Sequence, residues 1–271
     1  MEWNEYLAQI DRAYEELTGP ALEGRLEELG QACLAEYGGE SPVYGAMLNE
    51  LGALYKGAGK LELSEGYFLQ ALALMESRLG RESQAYATVL NDLAGVHRLQ
   101  GRLEEAEEEF KACLKHYEAV LGRNHVLYAA GLNNLSLVYL DQDRLAQAAE
   151  LQKQAADILR ALPECRDELA VSLCNLGVLR QRLGQLEEAE ELLLEALRMF
   201  REELGTDTPH YHASLNALGV VRYASGRYDQ AKADFSAAAE AAQRLYGPDH
   251  WEVQAAREHA RLAGQAAEEG Q

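Results

Sequence analysis

The chain has 271 residues, is 48% hydrophobic and only 7% aromatic, and carries 45 acidic against 25 basic residues for a formal charge of −20. That balance repels nucleic-acid phosphate and anionic membrane surfaces and favours basic or neutral partners, although an acidic surplus is also an ordinary solubility device. Length and apolar content suffice for a sizeable core, in one large domain or two.

The first ten residues, MEWNEYLAQI, lack the basic start and apolar run of a signal peptide. No later segment approaches the ~20 apolar residues needed to span a bilayer. Cys33, Cys113, Cys165 and Cys174 form no CxxC pair, so neither a zinc knuckle nor a thioredoxin motif is present. A reducing, cytoplasmic compartment is expected. Residues 1–37 read as a divergent helix pair, parted by Pro20, with Leu22, Leu26, Leu29 and Cys33 as the stripe of its second helix.

A repeat begins at Pro42. Leu48-Asn49, Leu90-Asn91, Leu132-Asn133, Leu173-Cys174 and Leu215-Asn216 are spaced 42, 42, 41 and 42 residues apart. Other columns keep the same step: a small residue at Gly52, Ala94, Ser136, Gly177 and Gly219, and a turn residue at Gly59, Gly101, Asp143, Gly184 and Gly226. Ser64, Ala106, Ala148, Ala189 and Ala231 follow, then Ala71, Cys113, Ala155, Ala196 and Ala238. The units close at Gly80, Gly122, Pro163, Gly205 and Gly247, which bounds them at 42–80, 84–122, 126–163, 167–205 and 209–247.

Each unit reads as two helices. In the third, Tyr128, Leu132, Leu135 and Tyr139 fall on one stripe of a first helix, which the turn residue Asp143 ends. The second helix carries the alanine columns, whose small side chains permit close approach. Ser41-Pro42 and Thr208-Pro209 read as an N-cap followed by proline in the first turn. Residues 250–266 form a capping helix, with Trp251 expected to cover the apolar end of the fifth unit, and 267–271 a tail.

These columns resemble the tetratricopeptide repeat. The unit LNELGALYKGAGKLELSEGYFLQAL carries the resemblance through Leu51, Gly52, Tyr55, Gly59, Phe68 and Ala71. The 42-residue step, the LNNL opening and the LGRNH and YGPDH closings resemble the kinesin-light-chain subgroup. Departures are Gln152 for the large apolar residue, Arg180 and Arg222 for the tyrosine, and Cys174 for an asparagine. The resemblance implies an all-α, right-handed superhelical solenoid of antiparallel helix pairs, a single domain over 1–271, whose first helices line a concave groove.

On a helical wheel, the side opposite the Leu132, Leu135 and Tyr139 stripe collects Asn134, Leu137 and Asp141 in the third unit. Its equivalents are Ala46 and Glu50, then Thr88 and Asp92, then Asn175, Val178 and Arg182, then Ala213, Ala217 and Val220. Asn49, Asn91, Asn133 and Asn216 lie on the flank. An amide offers a donor and an acceptor together and matches an extended peptide backbone. The candidate peptide-binding residues are therefore Glu50, Asn91, Asp92, Asn133, Asn134, Leu137, Asn175, Val178 and Arg182. The flank asparagines are equally read as ties between neighbouring helices. Arg180, Arg182 and Arg222 either hold a partner's carboxylate or snorkel to water.

Chemistry beyond binding is not expected. His125 and His250 read as loop or cap residues, and His210 with His212 lacks further ligands at metal spacing. The acidic runs LEEAEEEF and LEEAEELL read as solvated outer faces. No phosphate loop or GxSxG is present. The reading is a non-catalytic scaffold, without cofactor or metal, that binds an extended segment of a protein or peptide partner and neither nucleic acid nor membrane. It is expected as a monomer or weak homo-oligomer; the rivals are a self-assembly or large-partner docking module and a sensor of signalling peptides.

Overall fold

The computed structural model describes residues 3–269. Its helices fall into two compact units, residues 1–123 and 124–271. The first unit holds α1 (Trp3–Glu16), α2 (Gly19–Tyr37), α3 (Pro42–Gly57), α4 (Leu61–Leu79), α5 (Gln84–Leu99) and α6 (Leu103–Leu121). The second holds α7 (Val126–Asp141), α8 (Leu145–Arg160), α9 (Arg166–Arg182), α10 (Leu186–Met199), α11 (Pro209–Ala224), α12 (Tyr228–Tyr246) and α13 (Trp251–Glu269). No strand occurs among the described residues, and the fold is all-α. No described helix is long and apolar enough to cross a membrane.

The turn column is a backbone requirement. Gly59, Gly101, Gly184 and Gly226 have φ between 71° and 79°, and Asp143, at φ 58°, is the sole non-glycine with positive φ among the described residues. Glycine enters this left-handed region without a Cβ penalty, and aspartate tolerates it better than most. The next residue then donates back to the closing helix: Lys60 N to Tyr55 O at 2.9 Å, Arg102 N to His97 O at 2.9 Å and Arg144 N to Tyr139 O at 2.7 Å. This satisfies carbonyls that a helix end leaves without partners. Ser41, Ser83 and Thr208 cap α3, α5 and α11 through their hydroxyls.

The small-residue column meets the large residue of the second helix. A Cβ on Gly52 would stand 2.7 Å from the Phe68 ring, one on Gly219 2.7 Å from the Phe235 ring, and one on Gly177 2.8 Å from Leu193. Ala106, Ala148, Ala189 and Ala231 are fully buried, and Ser64 joins them by donating from Oγ to Gly52 O at 2.7 Å.

In the first unit the core gathers Tyr6, Ile10, Leu26, Leu29 and Cys33 with Met47, Leu51 and Tyr55, so α1 and α2 are packed on α3. In the second, Ala263 of α13 lies in one cluster with Ala231 and Phe235. Val253 and Ala256 are buried as well, but Trp251 is 69% exposed. The expected covering by Trp251 is therefore corrected: small residues further along α13 close that end, and the indole faces out. The helix also continues past residue 266 to Glu269, leaving 270–271 outside the described residues. Residues Phe200–Leu204 extend α10 as a π-helical turn that no sequence signal announced.

Replacing Ala148 by leucine should overpack a filled helix contact and cost about 1–3 kcal/mol. Thermal or urea melts test this; an unchanged midpoint would contradict the packing described.

Candidate ligand clefts on the first helices

The flank asparagines are largely engaged between neighbouring first helices. Asn49 Nδ2 donates to Asp92 Oδ2 at 3.4 Å, from α3 to α5. Asn216 Oδ1 lies 3.2 Å from His259 Nδ1, joining α11 to α13. Asn133 Oδ1 accepts from Gln152 Nε2 at 2.8 Å and from Ser172 Oγ at 3.4 Å. Gln152, noted in the sequence only as a departure, is fully buried and is the hub of this network. Its Oε1 accepts from Ser136 Oγ at 2.6 Å, and its Nε2 also donates to Ser172 Oγ at 2.9 Å. Asn133 is thus a structural tie as well as a groove candidate.

Most of the arginines offered for a partner's carboxylate are already paired. Arg222 Nη1 holds both oxygens of Asp234 at 2.9 and 3.0 Å, while its Nε reaches Glu190 at 3.0 Å. Arg227 also bonds Glu190, and its hydrogen bond is the main cause of that carboxyl's lowered pKa. Arg180 Nη1 donates to Gln185 at 2.8 Å and Nε stands 3.2 Å from Glu188. Arg182 is exposed, and its Nη2 donates to Asp143 at 2.8 Å, linking α9 to the turn after α7.

Asn91, Asn134, Leu137, Asn175 and Val178 are half-buried. Val178 lines a cleft of about 360 Å³ in the second unit, together with Ala213, Ala217 and Val220 of α11 and Trp251 and Ala255 of α13. Glu252 and His212 stand at its side, Oε2 3.1 Å from Nε2, with the His212 pKa lowered chiefly by burial. A cleft of about 480 Å³ in the first unit is lined by Trp3, Leu7, Ala46, Asn49, Glu50 and Val89, among others. Glu50 has its pKa raised by burial first, and then by the charges of Asp92 and Asp11. Asp92 is paired with Lys56 Nζ at 3.3 Å. Sequence reasoning did not foresee Trp3 or Trp251 as cleft walls; tryptophans in poorly apolar helix starts were the available signal.

Cys174, which replaces an asparagine of the flank column, is buried, and burial raises its thiol pKa. His125 and His250 accept from backbone N–H groups two residues on, as loop residues do. The one group of metal-ligand type among the described residues is His97, Glu105 and Glu109, whose ligand atoms lie within 4.8 Å of one another. His97 Nδ1 bonds Glu109 at 2.7 Å, and Arg102 already supplies a cation to Glu105 and Glu65, each at 2.7 Å. No spacing in the sequence marks this set.

A family model described as tetratricopeptide repeat matches residues 43–118, 85–161 and 168–233. No curated protein matches the sequence. Among solved structures, a putative kinesin light chain of Podosopora anserina with nearly identical TPR-like repeats is 22% identical, with TM-score 0.62, over 76% of this chain and 99% of its own. The apo quorum sensor NprR from B. thuringiensis is 14% identical, with TM-score 0.68, over 96% and 69%. The Rap conjugation gene regulator of plasmid pLS20, solved with the Phr* peptide, is 15% identical, with TM-score 0.66, over 98% and 74%. At such identities the likeness is one of fold.

Gln152→Leu should destabilise the chain by about 1–3 kcal/mol, because Asn133, Ser136 and Ser172 lose their shared partner. Chemical denaturation measures this, and a neutral outcome would mean that the network is dispensable. Glu50→Gln should have the opposite sign. A carboxyl whose pKa rises on folding penalises the folded state when ionised, and the penalty vanishes as pH falls through the folded pKa. The variant should melt higher than the parent at pH 7 and equal to it below about pH 4.

Proposed function

The chain belongs to the tetratricopeptide repeat family, a fold of protein–protein interaction, and on that premise we propose that it is a non-catalytic scaffold holding an extended peptide segment against its first helices. The observation that carries the reading is the cleft between α9, α11 and α13. Its floor is made of small apolar side chains, Ala213, Ala217, Val220 and Val178, and one wall is the exposed indole of Trp251. Such a floor admits a large apolar side chain, and an exposed tryptophan beside a pocket is a frequent energetic anchor of interfaces. Asn175 lies one turn before Val178 on α9 and makes no side-chain hydrogen bond to the described residues, so its amide is free to meet a peptide backbone. The Rap regulator solved with a peptide shares the fold, which supports the same mode here.

Selection of a displayed library of random dodecapeptides on the full chain tests the proposal, followed by fluorescence polarisation of the selected peptides. Ala217→Trp, which fills the cleft, should reduce their affinity at least tenfold while leaving the far-UV spectrum unchanged. Asn175→Ala removes about 0.5–1.5 kcal/mol of hydrogen bonding, a loss of roughly twofold to twelvefold. Glu107→Gln with Glu108→Gln on the outer face of α6 should change little. Peptides that bind equally well to Ala217→Trp would sink the reading. Concentration-dependent self-association abolished by Trp251→Ala would support the assembly alternative instead.

A further inference from the structure

The cleft of the first unit differs from that of the second in its charge. It opens between α1, α3 and α5, and among the residues that line it Glu50 is the one that carries a charge, with Asp92 and Asp11 near enough for their charges to act on its carboxyl. Asp92 is itself paired with a cation, Lys56 Nζ at 3.3 Å. Glu50 lines the cleft and makes neither a hydrogen bond nor an ion pair among the described residues. A second group there also lacks a partner. Asn49 spends its amide N–H₂ on Asp92, whereas its Oδ1 is buried without any hydrogen-bond donor.

We infer that this cleft receives the basic side chain, arginine or lysine, of a peptide partner. Glu50 supplies the counter-charge. Leu7, Met75 and Val89 provide apolar wall for the aliphatic stem, and Trp3 offers an aromatic face to the cation. An acidic side chain would meet the Glu50 carboxylate and no cation among the lining residues, so the same charge disfavours it. Burial first, and then the charges of Asp92 and Asp11, raise the pKa of Glu50, and an arriving cation opposes both by favouring the charged form. The volume of about 480 Å³ exceeds what one side chain occupies, leaving room for the adjoining peptide backbone.

The inference rests on the reading that first helices carry the ligand, and the two are separable by experiment. The random dodecapeptide library is selected in parallel on the full chain and on its Glu50→Gln variant, which removes the charge and keeps the shape. Peptides from the parent should be enriched in arginine or lysine beside apolar residues, and those from Glu50→Gln should keep the apolar preference and lose the basic one. Replacing the enriched arginine of a selected peptide by citrulline should lower its affinity for the parent by about tenfold. The same change should cost less than twofold on Glu50→Gln, and the parent's affinity should fall with rising salt. Enrichment of acidic residues, or a basic preference that survives in Glu50→Gln, overturns this inference and leaves the groove reading standing. A selection that yields no peptide on the parent overturns both.

Discussion

The helix pairs in both units close on a contact between a residue with almost no side chain and a large one on the facing helix. Gly52 against Phe68, Gly177 against Leu193 and Gly219 against Phe235 leave no room for even a methyl group without displacement of the larger partner. Because interiors pack at crystal-like density, that contact fixes how closely the axes approach and which side of the first helix is covered. The fully buried alanines of the second helices follow from the same close approach. So does the side left over. A first helix sealed on one side by its own second helix and on its flank by the next first helix presents its remaining side chains to ligand or water, and the clefts open there.

The third repeat meets the same constraint by different chemistry. Ser136 stands in the small-residue column and Gln152 where the others have Phe or Leu, and the two are hydrogen-bonded at 2.6 Å. A buried amide without partners would be costly, but this one donates to Asn133 and to Ser172 of the following first helix. The pair therefore replaces a non-directional contact by a directional one that reads across two first helices and one second helix. Polar groups of this kind contribute little net stability but tolerate few alternative registers.

Much of this was legible in the sequence. The columns at Gly59, Gly101, Asp143, Gly184 and Gly226 mark positive φ, a requirement that restricts residue type strongly, so it survives as a visible pattern. Helix stripes and the alanine columns are legible for a similar reason: burial restricts composition at a fixed period. What was not legible depends on long side chains choosing among several partners. Arg222 was open between solvent and a ligand, and in the fold it bridges Asp234 and Glu190, contacts 12 and 32 residues away that no periodicity encodes. Trp251 was misread because its position at the start of a terminal helix suggested a lid; the smaller Val253, Ala256 and Ala263 fill that end better, and the indole is left outside. Asn133 was identified as unusual, but the partner that explains it, Gln152, was seen only as a departure from pattern.

Charge distribution follows from these pairings rather than from composition. A formal charge of −20 gives no hint of where negative potential is available, because an acidic group tied to an arginine presents little of it. Glu190, Glu203 and Glu65 are such groups, each held below its ordinary pKa by hydrogen bonds from neighbouring side chains, with arginine among the donors in every case. Glu50 is the contrary case, since its surroundings supply further carboxylates instead of a cation. Ion pairs likewise engage Lys56, Arg182 and Arg222 on the first helices. The two clefts accordingly differ in what lines them: an unpaired carboxylate beside α3, and an apolar floor with an exposed indole beside α11. If the chain holds a peptide as proposed, the groups that folding leaves unsatisfied select it, and these are identified only once every arginine has been assigned its partner.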